Sequence, residues 1–301
     1  MKKIHLKIFL LSLIWLASTH AYAALNVFAC EPEWGALAKE IGKEHVSVYV
    51  ATTALQDAHH VEARPSLIAQ ARKADVMICS GAELEVGWIP LLLTQSGNPR
   101  IQTGQPGFIE ASSFVNRIEI PKILDRSQGD VHPQGNPHVL LNPHNIVIIA
   151  HAIAERFAQI DAANASAYKN NETAFQSRWG EAMTRWEKQA APLKSMPIVV
   201  YHKDISYFID WLGMKEVGSL EPKPGIPPST GHLSKLLTQL ESQPAKAVVY
   251  SPYNDPDAAK WLSEKAKIPA LALPYTVGGN DKASDLFGLF DDMIARFLTA
   301  K

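Results

Sequence analysis

From residue 25 onward, short apolar runs alternate with amphipathic stretches. Residues 25–30, 46–51 and 74–80 are apolar runs of strand length. Residues 32–42 and 65–72 space their apolar side chains as a helix does, and a further helical stretch is expected over 84–94. Between 102 and 137 Pro, Gly and polar residues break the pattern, leaving only short strand-like pieces such as 117–120. Strands separated by helices predict a parallel sheet of the α/β class.

The pattern then changes. Asn142-Pro143 supplies an N-cap and a first-turn proline, followed by Ile146, Ile149, Ala150, Ile153 and Phe157 on one helical face. A second helix over 163–190 carries Tyr168, Phe175, Trp179, Ala182, Met183 and Trp186 at helical spacing. At 1.5 Å per residue it would reach roughly 42 Å, long for a helix inside one small domain. Its aromatic stripe reads as packing rather than a cofactor site. After Pro192 the alternation restarts, with strands expected at 197–201, 245–250 and 270–273 and helices at 206–212, 232–241, 256–265 and 284–299. The expectation is two α/β lobes, 24–160 and 193–301, each a mainly parallel sheet flanked by helices. A long linking helix, 161–192, joins them, with a site in the cleft at the carboxyl ends of the strands.

The first residues set the compartment. Lys2, Lys3 and Lys7 precede an apolar run of about ten residues ending near Ala17, and Ala21-Tyr22-Ala23 follows. That is a signal peptide, 1–23, and its apolar run is well short of the roughly 20 residues a spanning helix needs. With no cysteine directly after the apolar run, no membrane anchor of the chain's own is expected. Cleavage removes three lysines and no acid, taking the formal net charge from −1 to −4. Neither value suits a general nucleic-acid-binding surface.

Two cysteines against eleven histidines exclude a Cys-rich zinc module or disulfide scaffold. Cys30 and Cys79 each end a strand-like run, and export permits a disulfide as readily as two buried thiols. The histidines matter by position. His59 and His60 lie in Asp57-Ala58-His59-His60, after the strand 46–51; His138 lies just before the cap at Asn142; His202 directly follows the strand of Val199 and Val200. Asp285 falls in the first turn of the last helix. Three neutral imidazoles and one carboxylate suit tetrahedral Zn²⁺ and disfavour Mg²⁺ and Ca²⁺. Taken singly, each has a plainer role as a loop residue, a strand-end histidine or an acid at a helix N-terminus.

At these residues the chain resembles the zinc- and manganese-binding proteins of bacterial ABC importers. Asp57-Ala58-His59 with Arg64-Pro65-Ser66 is similar to their D-P-H…R-P-S segment. Gly135-Asn136-Pro137-His138-Val139-Leu140-Leu141-Asn142-Pro143 resembles N-P-H-x-W-L-D-P. Tyr201-His202-Lys203-Asp204-Ile205-Ser206-Tyr207-Phe208 resembles H-x-x-x-x-Y-F, and 221–229 resembles the turn that follows. The resemblance covers essentially the whole mature chain and implies His59, His138, His202 and Asp285 as ligands. Histidine at 202, where manganese-type members carry Glu, points to zinc. The family fold is two α/β lobes joined by a rigid long helix. Transported Zn²⁺ is then the ligand, and an inner-membrane permease the partner. A metallochaperone is a further candidate partner, a monomer is expected, and the compartment is the periplasm.

The chain departs from the family pattern in places. Ala58 replaces Pro beside the ligand, and Asn142 replaces the Asp of L-D-P, where either caps a helix. His60 adjoins His59, but the six-residue step from His59 to Pro65 favours His59. The loop before His138 is short and holds only His132, read as a solvated residue. His144, His151 and His232 read as helix-surface residues. Two rival readings remain: the same fold carrying Mn²⁺ or Fe²⁺, and a secreted zinc hydrolase. Against the hydrolase, H-E-x-x-H and G-x-S-x-G are absent, and nothing marks Glu83 or Glu85 as a general base. A binding protein rather than an enzyme is expected.

Overall fold

The computed structural model describes residues 24–122 and 129–300, so the expected signal peptide lies outside the described residues. Leu25–Ala29 (β1), Val46–Val50 (β2), Val76–Cys79 (β3) and Phe108–Glu110 (β4) form a sheet in the order β2-β1-β3-β4, every pair parallel. Pro32–Gly42 (α1), Pro65–Lys73 (α2) and Ile89–Ser96 (α3) connect them. Strands this short and buried on both faces read as continuous apolar runs, as Val76-Met77-Ile78-Cys79 does.

Pro143–Ile160 (α4) and Ala165–Ala190 (α5) follow. The second sheet repeats the first. Pro197–Val200 (β5), Lys215–Ser219 (β6), Ala247–Tyr250 (β7) and Ala270–Ala272 (β8) run parallel in the order β6-β5-β7-β8. Its helices are Ser206–Leu212 (α6), Thr230–Ser242 (α7), Asp257–Ala266 (α8) and Leu286–Thr299 (α9).

The pattern missed two strands. β4 has three residues, and β6 (Lys-Glu-Val-Gly-Ser) carries one large apolar side chain. The 117–120 piece is not a strand, and the 84–94 stretch becomes helix only at Ile89. Gly81, Ala82 and Glu83, all at positive φ, occupy the turn before it.

The aromatic stripe of α5 holds the lobes together. Trp179 lies 4.9 Å, centroid to centroid, from both Trp186 and Phe287, and Trp186 stacks on Phe290 at 4.8 Å. The indole N–H of Trp179 donates to Pro143 O (2.9 Å) and that of Trp186 to Asp291 Oδ1 (2.6 Å), so burial leaves neither donor unpaired. One continuous core takes in Trp34 and Ile78 of the first lobe, Trp179 of α5, and Val200 and Phe297 of the second.

Cys30 and Cys79, directly beyond the paired ends of β1 and β3, are disulfide-bonded with Cα atoms 4.8 Å apart. The bond closes a loop of 49 residues, which typically stabilises by about 2–4 kcal/mol through restriction of the unfolded chain. Reduction should therefore lower the thermal midpoint, read by calorimetry with and without a phosphine reductant. An unchanged midpoint would contradict this.

Candidate metal centre

In each sheet the chain leaves the two middle strands in opposite directions, which opens a crevice at their carboxyl ends. The two crevices face each other, and the candidate residues gather there. His59 comes from the loop after β2, His138 from the turn before α4, and His202 from the end of β5. Their ring centroids form an equilateral triangle, 5.5 Å on every side. One ring nitrogen from each lies within 4.8 Å of those of the other two.

Carboxylates orient two of the rings. His59 Nδ1 is 2.7 Å from Asp57 Oδ1, and His202 Nδ1 is 2.7 Å from Glu221 Oε2. A neutral imidazole that donates its Nδ1–H to a carboxylate keeps its Nε2 lone pair for a cation. Burial alone would raise Asp57, but hydrogen bonds and charge from His59 hold it below the usual carboxylate range. At His202 burial pulls downward, and the Glu221 hydrogen bond with the Asp204 charge overcomes it, so its pKa is raised. Glu221→Gln should weaken metal binding about 10–100-fold, measured by competition with a chelator. Equal affinities would remove Glu221 from the site.

His138 is anchored differently. Its backbone N–H donates to Asn136 Oδ1 (2.9 Å), and Asn136 in turn donates to Lys203 O (2.8 Å) across the cleft. Tyr207 O–H donates to Asn136 O (2.8 Å). The His138 ring nitrogen Nε2 is buried with no hydrogen-bond partner. Burial, then the neighbouring imidazoles, push its pKa well below the ordinary histidine value. Such a group stays neutral, and one of its ring nitrogens lies within 4.8 Å of those of His59 and His202.

Two expectations about neighbouring residues fail. Asp285 is not brought to the histidines: it is the N-cap of α9, its Oδ1 accepting the Gly288 N–H at 2.7 Å. It lines a separate groove with Lys39, Thr53 and Val277. The helix-start geometry that drew attention to it uses the carboxylate locally. His132 is not a solvated loop residue. Its ring is 5.2 Å from that of His59, with the two Nε2 atoms 3.2 Å apart, and it lines the same pocket as His138 and His202. Burial, then like charge on His59 and His202, lower its pKa to about 3. The backbone bond from Asp130 N–H to Pro224 O (2.8 Å) pins its loop to the second lobe. His60, by contrast, points its ring at Asp57 and is exposed.

His144, His151 and His232 lie on helices, where the first two pair with Glu187 and Glu172 and the third meets Ser219 O. Sequence reasoning missed the orienting role of Asp57 and Glu221, although both stand inside the motifs quoted above. It also missed Glu31, Glu33 and Asp204, buried acids behind the triangle. For these, only an acid at the end of an apolar strand was there to be seen.

Two parallel-sheet lobes facing each other across a cluster of imidazoles define a two-lobed cleft protein with a candidate metal centre between its sheets. The sequence matches the family model of the zinc-uptake complex component A, periplasmic, over residues 27–300, and the chain belongs to that family. It is 26% identical over 130 residues to the high-affinity zinc uptake system protein ZnuA of Brucella abortus, a match spanning 43% of this chain and 39% of that relative's length. To the manganese ABC transporter substrate-binding lipoprotein scaA of Streptococcus gordonii it is 22% identical over 270 residues, 87% of this chain and 83% of the relative. A crystal structure of ZnuA superposes with a TM-score of 0.72 at 18% identity, covering 91% of this chain and 99% of that one. The Cd-bound periplasmic metal-binding protein from Candidatus Liberibacter asiaticus gives 0.74 at 17%, covering 92% and 100%. At such identities these likenesses speak for the fold.

Proposed function

We propose that this protein captures Zn²⁺ in the cleft through His59, His138 and His202, with His132 as fourth donor. It is exported by a cleaved signal peptide and passes the ion to the permease of an ABC importer, as a binding protein with no catalytic step. The unpartnered, buried Nε2 of His138 carries the reading, because a buried polar atom without a partner is costly unless a ligand supplies one. Two nitrogens bound tetrahedrally at 2.0–2.1 Å stand about 3.3 Å apart, close to the 3.2 Å between His59 and His132. This supports His132 in the place first expected for Asp285. The relatives named above are a zinc-uptake protein and a manganese transporter's binding lipoprotein. An all-nitrogen donor set favours zinc over manganese, which suits oxygen donors. Among the described residues no helix is long and apolar enough to cross a membrane.

Titration of the chelator-treated mature protein with zinc should give one tight site. Affinity should fall as pH drops through the histidine range near ~6.5. His202 has a raised pKa, so its protonation begins to cost affinity above that value, while His138 and His132 remain neutral throughout. Absence of zinc binding, or preference for Mn²⁺ when both ions compete, would overturn the assignment.

A further inference from the structure

Behind the triangle lies a chamber of about 10 Å³, the room of a single water. His59 and His138 form part of its wall, and Glu31 and Glu33 another part. Glu31 follows β1 and Glu33 opens α1; both are buried. Glu85, also buried, comes from the turn after β3 and lies against Glu31.

Their hydrogen bonds show where protons reside. Glu85 Oε1 accepts the Ser80 N–H (2.7 Å) and Oε2 the Gly81 N–H (3.1 Å), so two backbone donors favour its ionised form. Glu31 Oε2 accepts from the Ser80 hydroxyl (3.1 Å), but Glu31 Oε1 is buried with no donor. A bare carboxylate oxygen beside a second carboxylate is untenable there, so the pair shares a proton. Glu33 accepts the Thr276 hydroxyl, reaching across from the second lobe. Among the described residues no Lys or Arg lines the chamber; the other titratable groups facing it are Asp57, His59, His138, Asp204, Tyr253 and Tyr275. Burial raises Glu33 and Glu85 to about 7, and burial with the neighbouring carboxylates raises Glu31 further.

We propose that Glu31, Glu85 and Glu33 form a proton store that empties when the divalent ion arrives, making capture a cation-for-proton exchange. The inference rests on the metal-capture reading. Neutral imidazoles bring no charge to a dication, and the carboxylates that orient them, Asp57 and Glu221, stand on the far side of their rings. A buried dication needs anionic counter-charge, and across one water's width these carboxyls supply it by losing protons to solvent. Each proton that leaves creates one carboxylate and so offsets one positive charge of the ion. In the reverse sense, protons entering the store on acidification weaken the hold on the ion.

Infrared difference spectra of the wild-type mature protein, metal-free and zinc-loaded at neutral pH, test this. The metal-free protein should show the carbonyl stretch of protonated carboxyl groups, and one equivalent of zinc should remove it. Protons released per zinc, counted calorimetrically in buffers of different ionisation enthalpy, should fall by about one in Glu33→Gln and by about one in Glu31→Gln. Zinc bound at one equivalent with the carboxyl band unchanged, or with proton release equal in wild type and both variants, overturns the store and leaves the capture reading standing. Absence of zinc binding by the wild type overturns both.

Discussion

His138→Ala is expected to lower zinc affinity by about two to three orders of magnitude while leaving the fold intact. Structural zinc sites bind with roughly 10–16 kcal/mol, so one of four donors accounts for about 3–4 kcal/mol. His138 is the sharpest test because its Nε2 has no other partner, and removing the ring therefore breaks no hydrogen bond at that atom. The backbone bond to Asn136 survives the substitution. The measurement is competition with a chromophoric chelator, alongside the thermal midpoint of the metal-free protein. Wild-type affinity in the variant would remove His138 from the site. The same substitution at His132 separates a donor from a bystander, and at Asp285 it should change stability through the lost N-cap without changing affinity.

Trp179→Ala is expected to destabilise the metal-free protein by about 3–5 kcal/mol, the range for deleting a large aromatic side chain from a packed core. Trp179 is fully buried, touches Trp186, Phe287 and Phe290, and leaves Pro143 O without its donor when removed. α4, α5 and α9 meet at this side chain, so the loss should appear in the unfolding of both lobes rather than one. Chemical denaturation followed by far-ultraviolet dichroism reads it. A cost under about 1 kcal/mol would show that the aromatic stripe does not join the lobes.

Much of this molecule was legible because its central strands are buried on both faces. β1, β3, β5 and β7 are largely apolar runs of four or five residues, and their ends fall within two residues of the expectation. Edge strands need less apolar content, so β6 went unseen, and β4 with three residues is too short to leave a pattern. His59, His138 and His202 could be singled out because each stands beside a recognisable strand end or cap, and the structure brings their rings together. His132 has no such neighbour. Its place depends on Asp130 meeting Pro224 some ninety residues away in sequence, a pairing that no local pattern encodes. Asp285 erred in the opposite direction, since an acid at a helix start satisfies the helix whether or not a metal is near. The buried acids behind the triangle were illegible for a related reason: a chamber walled by several loops exists only once both lobes are assembled.

The continuous aromatic core through α5 also bears on what an approaching partner can perceive. With Trp179, Trp186, Phe287 and Phe290 interlocked, the two lobes cannot swing apart as independent bodies without opening that core. Empty and loaded molecules must then present nearly the same outline. The difference between them is confined to the rim of the cleft, to segments such as 129–136 and 221–226 that touch across it. Occupancy becomes a signal written in a few loop atoms, and a receptor that responds only to the loaded form must read it there.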